Sequence, residues 1–205
     1  FDKARMEIND PNGDRSSPWF VTTGLLAWEL VTGNVQMSND RFEHHTPATI
    51  PIAGDLDDPT APTYASFSNL LDNPALPVGS EIRAVVDRNG RVTQDGPGGV
   101  TAAYYVPETN HTIASPFWEF LNRQGLVYEN GSYRHAQLFA PLFFVTGLPI
   151  TEAYWVRVRV DGRAQWVLVQ VFERRVLTYT PNNPPGWQVE LGNIGLHYLL
   201  WREGQ

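Results

Sequence analysis

Four tryptophans in this chain occupy positions where an indole could meet a ligand. Trp19, Trp155, Trp166 and Trp187 lie at strand ends or beside turn sequences, where an exposed ring stacks on a sugar face. Trp187 follows Asn182-Asn183-Pro184-Pro185-Gly186, a loop sequence that belongs on the surface, and leads the four. Core packing competes for every one of them, because Trp buries a large area. Trp28, Trp118 and Trp201 sit in apolar runs and are expected in the core.

Carboxylates offer a second chemistry. In Asp10-Pro11-Asn12-Gly13-Asp14, the side chains of Asp10, Asn12 and Asp14 alternate so that they could converge on a hard cation such as Ca²⁺. The same residues make an ordinary β-turn, and the bidentate Glu of a complete calcium loop is missing. Asp55-Leu56-Asp57-Asp58 is a weaker version, best read as a solvated negative loop. His44 and His45 are adjacent on an expected strand, so they point to opposite faces and do not chelate together. His111, His135 and His197 stand alone. No nucleophile elbow, His-Glu-x-x-His or phosphate-binding glycine loop is present. With 22 acids, a glycosidase-type carboxylate pair stays open as a hydrolase alternative.

Composition narrows the classes further. A chain of 205 residues buries roughly 70% of its unfolded surface, enough for a sizeable core. Apolar residues make up 42% and charged residues 18%, which argues for a folded chain. The net charge is −7 with scattered cations, so nucleic acid is not an expected partner. No run approaches the roughly 20 apolar residues of a membrane span, so membrane insertion is not expected. The absence of Cys excludes disulfides, thiolate metal sites and a Cys nucleophile. No cofactor is expected beyond the calcium alternative.

The elements that must position these residues are mostly strands, and the expected fold class is mainly β (α+β). Val156, Val158 and Val160 alternate with Arg157 and Arg159, and Asp161-Gly162 suits a tight turn before Arg163 to Thr180, which predicts a β-hairpin. A second hairpin spans Ile82 to Thr93 and turns at Asn89-Gly90. Further strands are expected over Arg5 to Ile8, Leu25 to Val31, Asn34 to Met37 and Phe42 to Pro51. Ser115 and Pro116 open a helix that Gly125 ends, and Thr63 to Leu71 forms another. Breaks at 74–77 and 96–99 read as surface loops of a single domain, 1–205.

An internal echo links the two ends. Phe1-Asp2-Lys3-Ala4-Arg5-Met6-Glu7-Ile8 parallels Phe172-Glu173-Arg174-Arg175-Val176-Leu177-Thr178-Tyr179. The same offset pairs Gly24-Leu25 with Gly195-Leu196 without a gap. Each copy reads as an antiparallel strand–turn–strand unit whose first aromatic anchors a core, placing repeat-like units at about 1–33 and 143–201. In this reading Phe1 and Phe172 are equivalent buried anchors.

Gly147-Leu148-Pro149-Ile150-Thr151-Glu152, then Val169-Gln170-Val171-Phe172-Glu173-Arg174, Tyr179-Thr180-Pro181 and Val189-Glu190-Leu191-Gly192-Asn193-Ile194-Gly195, form one unit. The unit resembles a repeat of uncharacterised secreted or surface-attached bacterial proteins. More distantly it is similar to the LGFP repeat of bacterial cell-wall-associated proteins. Phe117 to Gly125 resembles the helix that precedes such a unit. The likeness covers Asn110 to about Trp201 and, partially, Phe1 to about Gly33, while 34–109 has no counterpart. Leu148 stands where an aromatic is usual, and Val171 where Tyr is common. Phe1 falls inside a motif, so the first strand is expected to lack part of its upstream context.

The resemblance implies an extracellular or cell-envelope location and a non-catalytic module that holds cell-wall glycan or a surface protein. Two alternatives stay beside it. One is a wall or polysaccharide hydrolase using a carboxylate pair, and the other is self-association through an open strand edge.

Overall fold

The computed structural model describes residues 1–8, 10–38 and 40–204. Its first elements are an antiparallel pair, β1 (Met6–Ile8) and β2 (Val21–Thr23), and a helix, α1 (Leu26–Thr32). A second pair, β3 (Asn34–Gln36) and β4 (Phe42–His44), precedes a 3₁₀ helix over Tyr64–Leu70. Strands β5 (Val85–Val86), β6 (Val92–Thr93), β7 (Ala102–Val106) and β8 (His111–Ala114) lead into α2 (Ser115–Leu121). A two-stranded ribbon follows, β9 (Gln124–Glu129) with β10 (Ser132–Gln137). The last elements are β11 (Tyr154–Val160), β12 (Arg163–Val171), β13 (Val176–Tyr179), β14 (Val189–Leu191) and α3 (Ile194–Glu203). The fold is mainly β with few short helices, an α+β arrangement.

A six-stranded sheet of order β14-β13-β12-β11-β5-β6 is the frame. All its pairs are antiparallel except β11 with β5. The expected β11–β12 hairpin forms, and Asp161 and Gly162 both take left-handed φ values, 52° and 72°, as its two-residue turn requires. The β5–β6 hairpin also forms around Gly90, with the Asp87 carboxylate accepting the Asn89 and Arg91 amides.

Both faces of the sheet are covered. Val156, Val158, Val167, Val169, Val171 and Val176 pack beneath α1, α3 and the 3₁₀ helix, against Leu26, Leu30, Phe67 and Ile194. Trp155, Leu168 and Leu177 pack on the opposite side with Ile113 of β8 and Phe117 and Leu121 of α2. This second core explains why Trp155, placed by its strand-end position among possible ligand contacts, is only 1% exposed. Its indole N–H donates to the Ile82 carbonyl at 2.9 Å, and it is a core residue.

Several sequence expectations change in three dimensions. Leu25 to Val31 is not a strand: Leu26 to Thr32 coil into α1, which buries Leu26, Ala27, Leu30 and Val31 and ends at Gly33 in the left-handed cap conformation. A run this apolar, broken only by Glu29, satisfies either period, and here tertiary packing chose the helix. The expected strand Phe42 to Pro51 stops at His44. Beyond it the His45 amide donates to Gly33 and the Ala48 amide to Leu30, so this segment closes over α1 instead of extending a ladder. Thr63 to Leu71 is helical, in 3₁₀ form.

The anchor equivalence also fails. Phe172 is fully buried, whereas Phe1 is 89% exposed. Nor does Gly24 match Gly195. The ladders place Met6 against Thr23 and Leu177 against Leu191, so the second turn is three residues shorter and Gly24 matches Gly192. In that register the two segments share their hydrogen bonds. The Gly24 amide donates to Arg5 O at 2.7 Å, and the Gly192 amide to Val176 O at 3.0 Å. Leu25 and Asn193 start their helices with nearly the same angles, φ −76°, ψ 44° and φ −78°, ψ 52°.

The two segments hold each other reciprocally. The Trp28 amide in α1 donates to Glu173 O at 3.1 Å, and the Leu196 amide in α3 donates to Asp2 O at 3.0 Å. Arg174 bonds the Thr23 carbonyl, and Lys3 Nζ the Leu191 carbonyl at 2.9 Å. Residue for residue this is the pattern of a two-fold contact, in which i touches j and j touches i.

Candidate functional site

The residues that carried the family resemblance are occupied by the fold. Glu152 accepts the Thr112 amide at 2.8 Å, the Leu76 amide at 3.1 Å and His111 Nδ1 at 3.1 Å, all in buried surroundings. His111 Nε2 faces the Leu71 carbonyl at 3.1 Å, so both ring nitrogens are engaged. Gln170 bonds the Ala114 amide and the Thr112 and Thr151 carbonyls, stitching β8 to the sheet. Glu173 accepts the Leu148 amide at 2.9 Å, and a side chain at Gly147 would collide with that carboxylate. These polar groups satisfy buried backbone, which is an architectural role.

The tryptophans are dispersed differently. Trp166 is half-buried and its ring lies under the Arg157 guanidinium, 5.4 Å from the centroid, beside a shallow groove that Pro97, Pro181 and Asn182 also line. Trp187 is 70% exposed and Trp19 is 49% exposed. In the register set by Gly24 and Gly192, Trp19 and Trp187 occupy the same position, two residues ahead of the second strand of each segment. Each sits in a turn closed by a local bond, but at a different place: Trp19 lies within the turn closed by Phe20 N–H to Ser17 O at 3.1 Å, whereas Trp187 itself closes its turn, donating its N–H to Pro184 O at 3.0 Å. Trp19 also packs on Phe144, with centroids 5.2 Å apart. The chain therefore carries two corresponding aromatic turns on a reciprocally paired frame.

The β1–β2 connection upstream of Trp19 contains the expected calcium ligands. Asp10 accepts the Asn12 amide at 2.9 Å, and Asp14 accepts the Ser16 amide at 2.8 Å and hydroxyl at 2.7 Å. The Ser16 hydroxyl and amide hold the Asp14 carboxyl below its usual range. Each acid thus shapes its own turn, and among the described residues no three His, Asp or Glu side chains form a metal-holding group. The Asp55–Asp58 loop is likewise engaged: Asp55 accepts the Asp161 and Gly162 amides at 2.9 and 2.8 Å, and Asp58 accepts the Arg159 amide at 2.8 Å.

Two cavities flank α3. The larger, about 820 Å³, opens beside its C-terminal end and is lined by both His44 and His45 together with Trp201. The imidazoles share this space despite adjacent positions, because the chain leaves the strand between them. Both are already partnered, His44 Nδ1 with Asn34 at 2.6 Å and His45 Nε2 with Arg202 at 2.8 Å.

The smaller cavity, about 270 Å³, lies where the valine face of the sheet turns polar. Along β13 the residues on that face run Val176, Thr178 and then Thr180, and Glu190 stands across from Thr178 on β14. The loop at Asp55, Lys3 and the α3 residue His197 complete the walls. In sequence His197 stands alone, and the signal that could have found this site is the change from Val176 to Thr178 in β13 and Thr180 just beyond it. Tyr64 Oη sits 2.7 Å from His197 Nδ1. Burial pushes the imidazole down to about 4 and holds the Tyr64 phenol well above its usual range. Asn183 joins the cavity to the Trp187 turn, since it lines the groove and donates to the Trp187 carbonyl at 3.1 Å.

No family model, curated protein or solved structure matches the chain. Among the described residues no helix is long and apolar enough to cross a membrane.

Proposed function

We propose that the protein is a non-catalytic binding module of the cell surface or extracellular space that holds wall glycan through its two aromatic turns. The observation that carries this reading is the exposure of Trp19 and Trp187 at corresponding positions of two reciprocally bonded segments. Two partly exposed indoles at matching sequence positions, Trp19 packed on Phe144 and Trp187 more open, suit a ligand with repeating rings. The resemblance of 147–195 to repeats of secreted and wall-associated proteins supports the same ligand class and location. Asp55, which shares its groove with Glu190, accepts the Asp161 and Gly162 amides, one on each oxygen, which gives it a role in holding the β11–β12 turn. Incubation with insoluble wall and polysaccharide preparations, with soluble sugar assayed in the same tubes, tests the proposal. Retention without sugar release is expected, and release would transfer the reading to a hydrolase.

Self-association has one observation in its favour. Among the described residues the ribbon β9–β10 pairs with no other strand, and Leu126, Tyr128 and Tyr133 are exposed on it, the two phenol rings 5.0 Å apart. An isolated hairpin is marginal alone, so this face gains from a cover. A monomeric mass in solution at high protein concentration would remove this second reading.

A further inference from the structure

The groove at His197 has the properties of a built polar site. His197 and Thr180 are 8% and 5% exposed, yet both line it. The Thr178 and Thr180 hydroxyls and His197 Nε2 make no hydrogen bond to protein among the described residues, and they are not sealed from solvent: the buried unpartnered side-chain atoms there are Thr109 Oγ1 and Arg159 Nε, so these three face the open groove. Tyr64 fixes the tautomer. A neutral imidazole carries one N–H, and the Tyr64 hydroxyl has no other acceptor. Only donation from Tyr64 to Nδ1 satisfies both groups, which leaves Nε2 as an N–H donor toward the groove.

The remaining walls are held in advance. Lys3 gives two of its ammonium bonds to Leu191 O and Asn193 Oδ1, at 2.9 and 2.7 Å. Asp55 is clamped on the β11–β12 turn by the Asp161 and Gly162 amides. Glu190 has only a long contact, 3.5 Å, from Asn183. Fixed donors and acceptors that need no rearrangement favour binding. The corresponding position in the first segment shows the closed alternative. There Glu29 takes the place of His197, and Arg5 fills the space with bonds of 2.6 and 3.0 Å to its carboxylate.

We propose that this groove binds one neutral, hydroxyl-rich ring, a sugar residue, with His197 Nε2–H donating to it and Glu190, Thr178 and Thr180 contacting its hydroxyls. Two acids against one cation disfavour an anion, and the His197 N–H with Lys3 disfavours a cation. A polyol supplies donors to Glu190 and acceptors to His197 at once. The inference rests on the glycan reading for its ligand class and names a subsite next to the Trp187 turn.

Titration of the intact protein with free glucose and N-acetylglucosamine, followed by His197 ring and backbone amide NMR, tests it. Inorganic phosphate and lysine serve as charged controls. Saturable shifts confined to His197, Thr178, Thr180 and Glu190 are expected with at least one sugar. Thr180→Val weakens that sugar about threefold to tenfold, as the loss of one neutral hydrogen bond does. Glu190→Gln, on the exposed rim, also weakens it and keeps the test valid if Thr180→Val fails to fold. No saturable shift with either sugar, shifts unaffected by both variants, or a preference for phosphate or lysine overturns the proposal. Failure of wall retention with intact sugar shifts would refute the tryptophan reading and leave the groove standing.

Discussion

His197 should make the protein acid-sensitive by an amount that follows from its burial. The imidazole titrates near 6.5 in an open chain and is pushed down to about 4 here by desolvation. At pH 7 both folded and unfolded chains hold it neutral, so it contributes little. At pH 5 the unfolded chain carries nearly a full proton on this residue and the folded chain about a tenth. Linkage then gives a loss of about 2 kcal/mol between pH 7 and pH 5, levelling at about 3 kcal/mol below pH 4. The sign is fixed: stability is complete above the unfolded value and drains away as pH falls toward the folded one. Urea unfolding of the wild type at both pH values measures the total, which includes every other titrating group. His197→Asn removes only this contribution, because Asn keeps an acceptor for Tyr64 and does not titrate. The wild type should lose about 2 kcal/mol more than His197→Asn over that interval. Equal losses would show that His197 is not held neutral, and the assignment of Nε2–H to the groove would fall with it.

Other perturbations separate architecture from binding. Arg5→Ala leaves the fully buried Glu29 carboxylate without its bidentate partner and should cost about 3 kcal/mol in denaturant unfolding. Gly195→Ala drives a methyl into the Phe1 carbonyl oxygen, so it should loosen the reciprocal contact, lower the melting temperature and speed amide exchange at Leu196. Trp187→Ala, at a mostly exposed site, should change stability by no more than about 0.5 kcal/mol.

The parts of the fold written in local sequence were legible, and those set by distant packing were not. Asp161-Gly162 and Asn89-Gly90 mark turns through their glycines, and Pro116 fits the first turn of α2 as expected. Ser115, however, is that helix's first residue and not its cap, and the helix stops at Leu121 while Gly125 lies in β9. Leu25 to Val31 reads as a strand because its residues are apolar apart from Glu29 and fit either period, and only the distant Arg5 partner accommodates Glu29 in the buried face of α1. Trp155 was misplaced because alternation around Val156 suggested a sheet with one wet face, and α2 with β8 covers that face. Phe1 follows the sequence of Phe172 without its environment: Phe172 closes a bridge with Pro149 at the end of β12, and Phe1 lies exposed. The groove was invisible for a different reason. Its walls come from distant positions: Lys3 from the first segment, the Asp55 loop bonded to the β11–β12 turn, and Thr178, Thr180, Glu190 and His197 from the second segment, which only the folded chain brings together.

Under the proposed glycan reading the two tryptophans contact one polymer, and a linked second contact multiplies affinity by effective concentration. The most direct test is therefore retention on insoluble wall glycan of the wild type, Trp19→Ala, Trp187→Ala and the double variant, with each fold verified by its melting transition. The account predicts that each single variant loses tenfold or more in apparent affinity and that the double variant is not retained. Retention of the double variant at the wild-type level would contradict the claim that these two indoles hold the ligand.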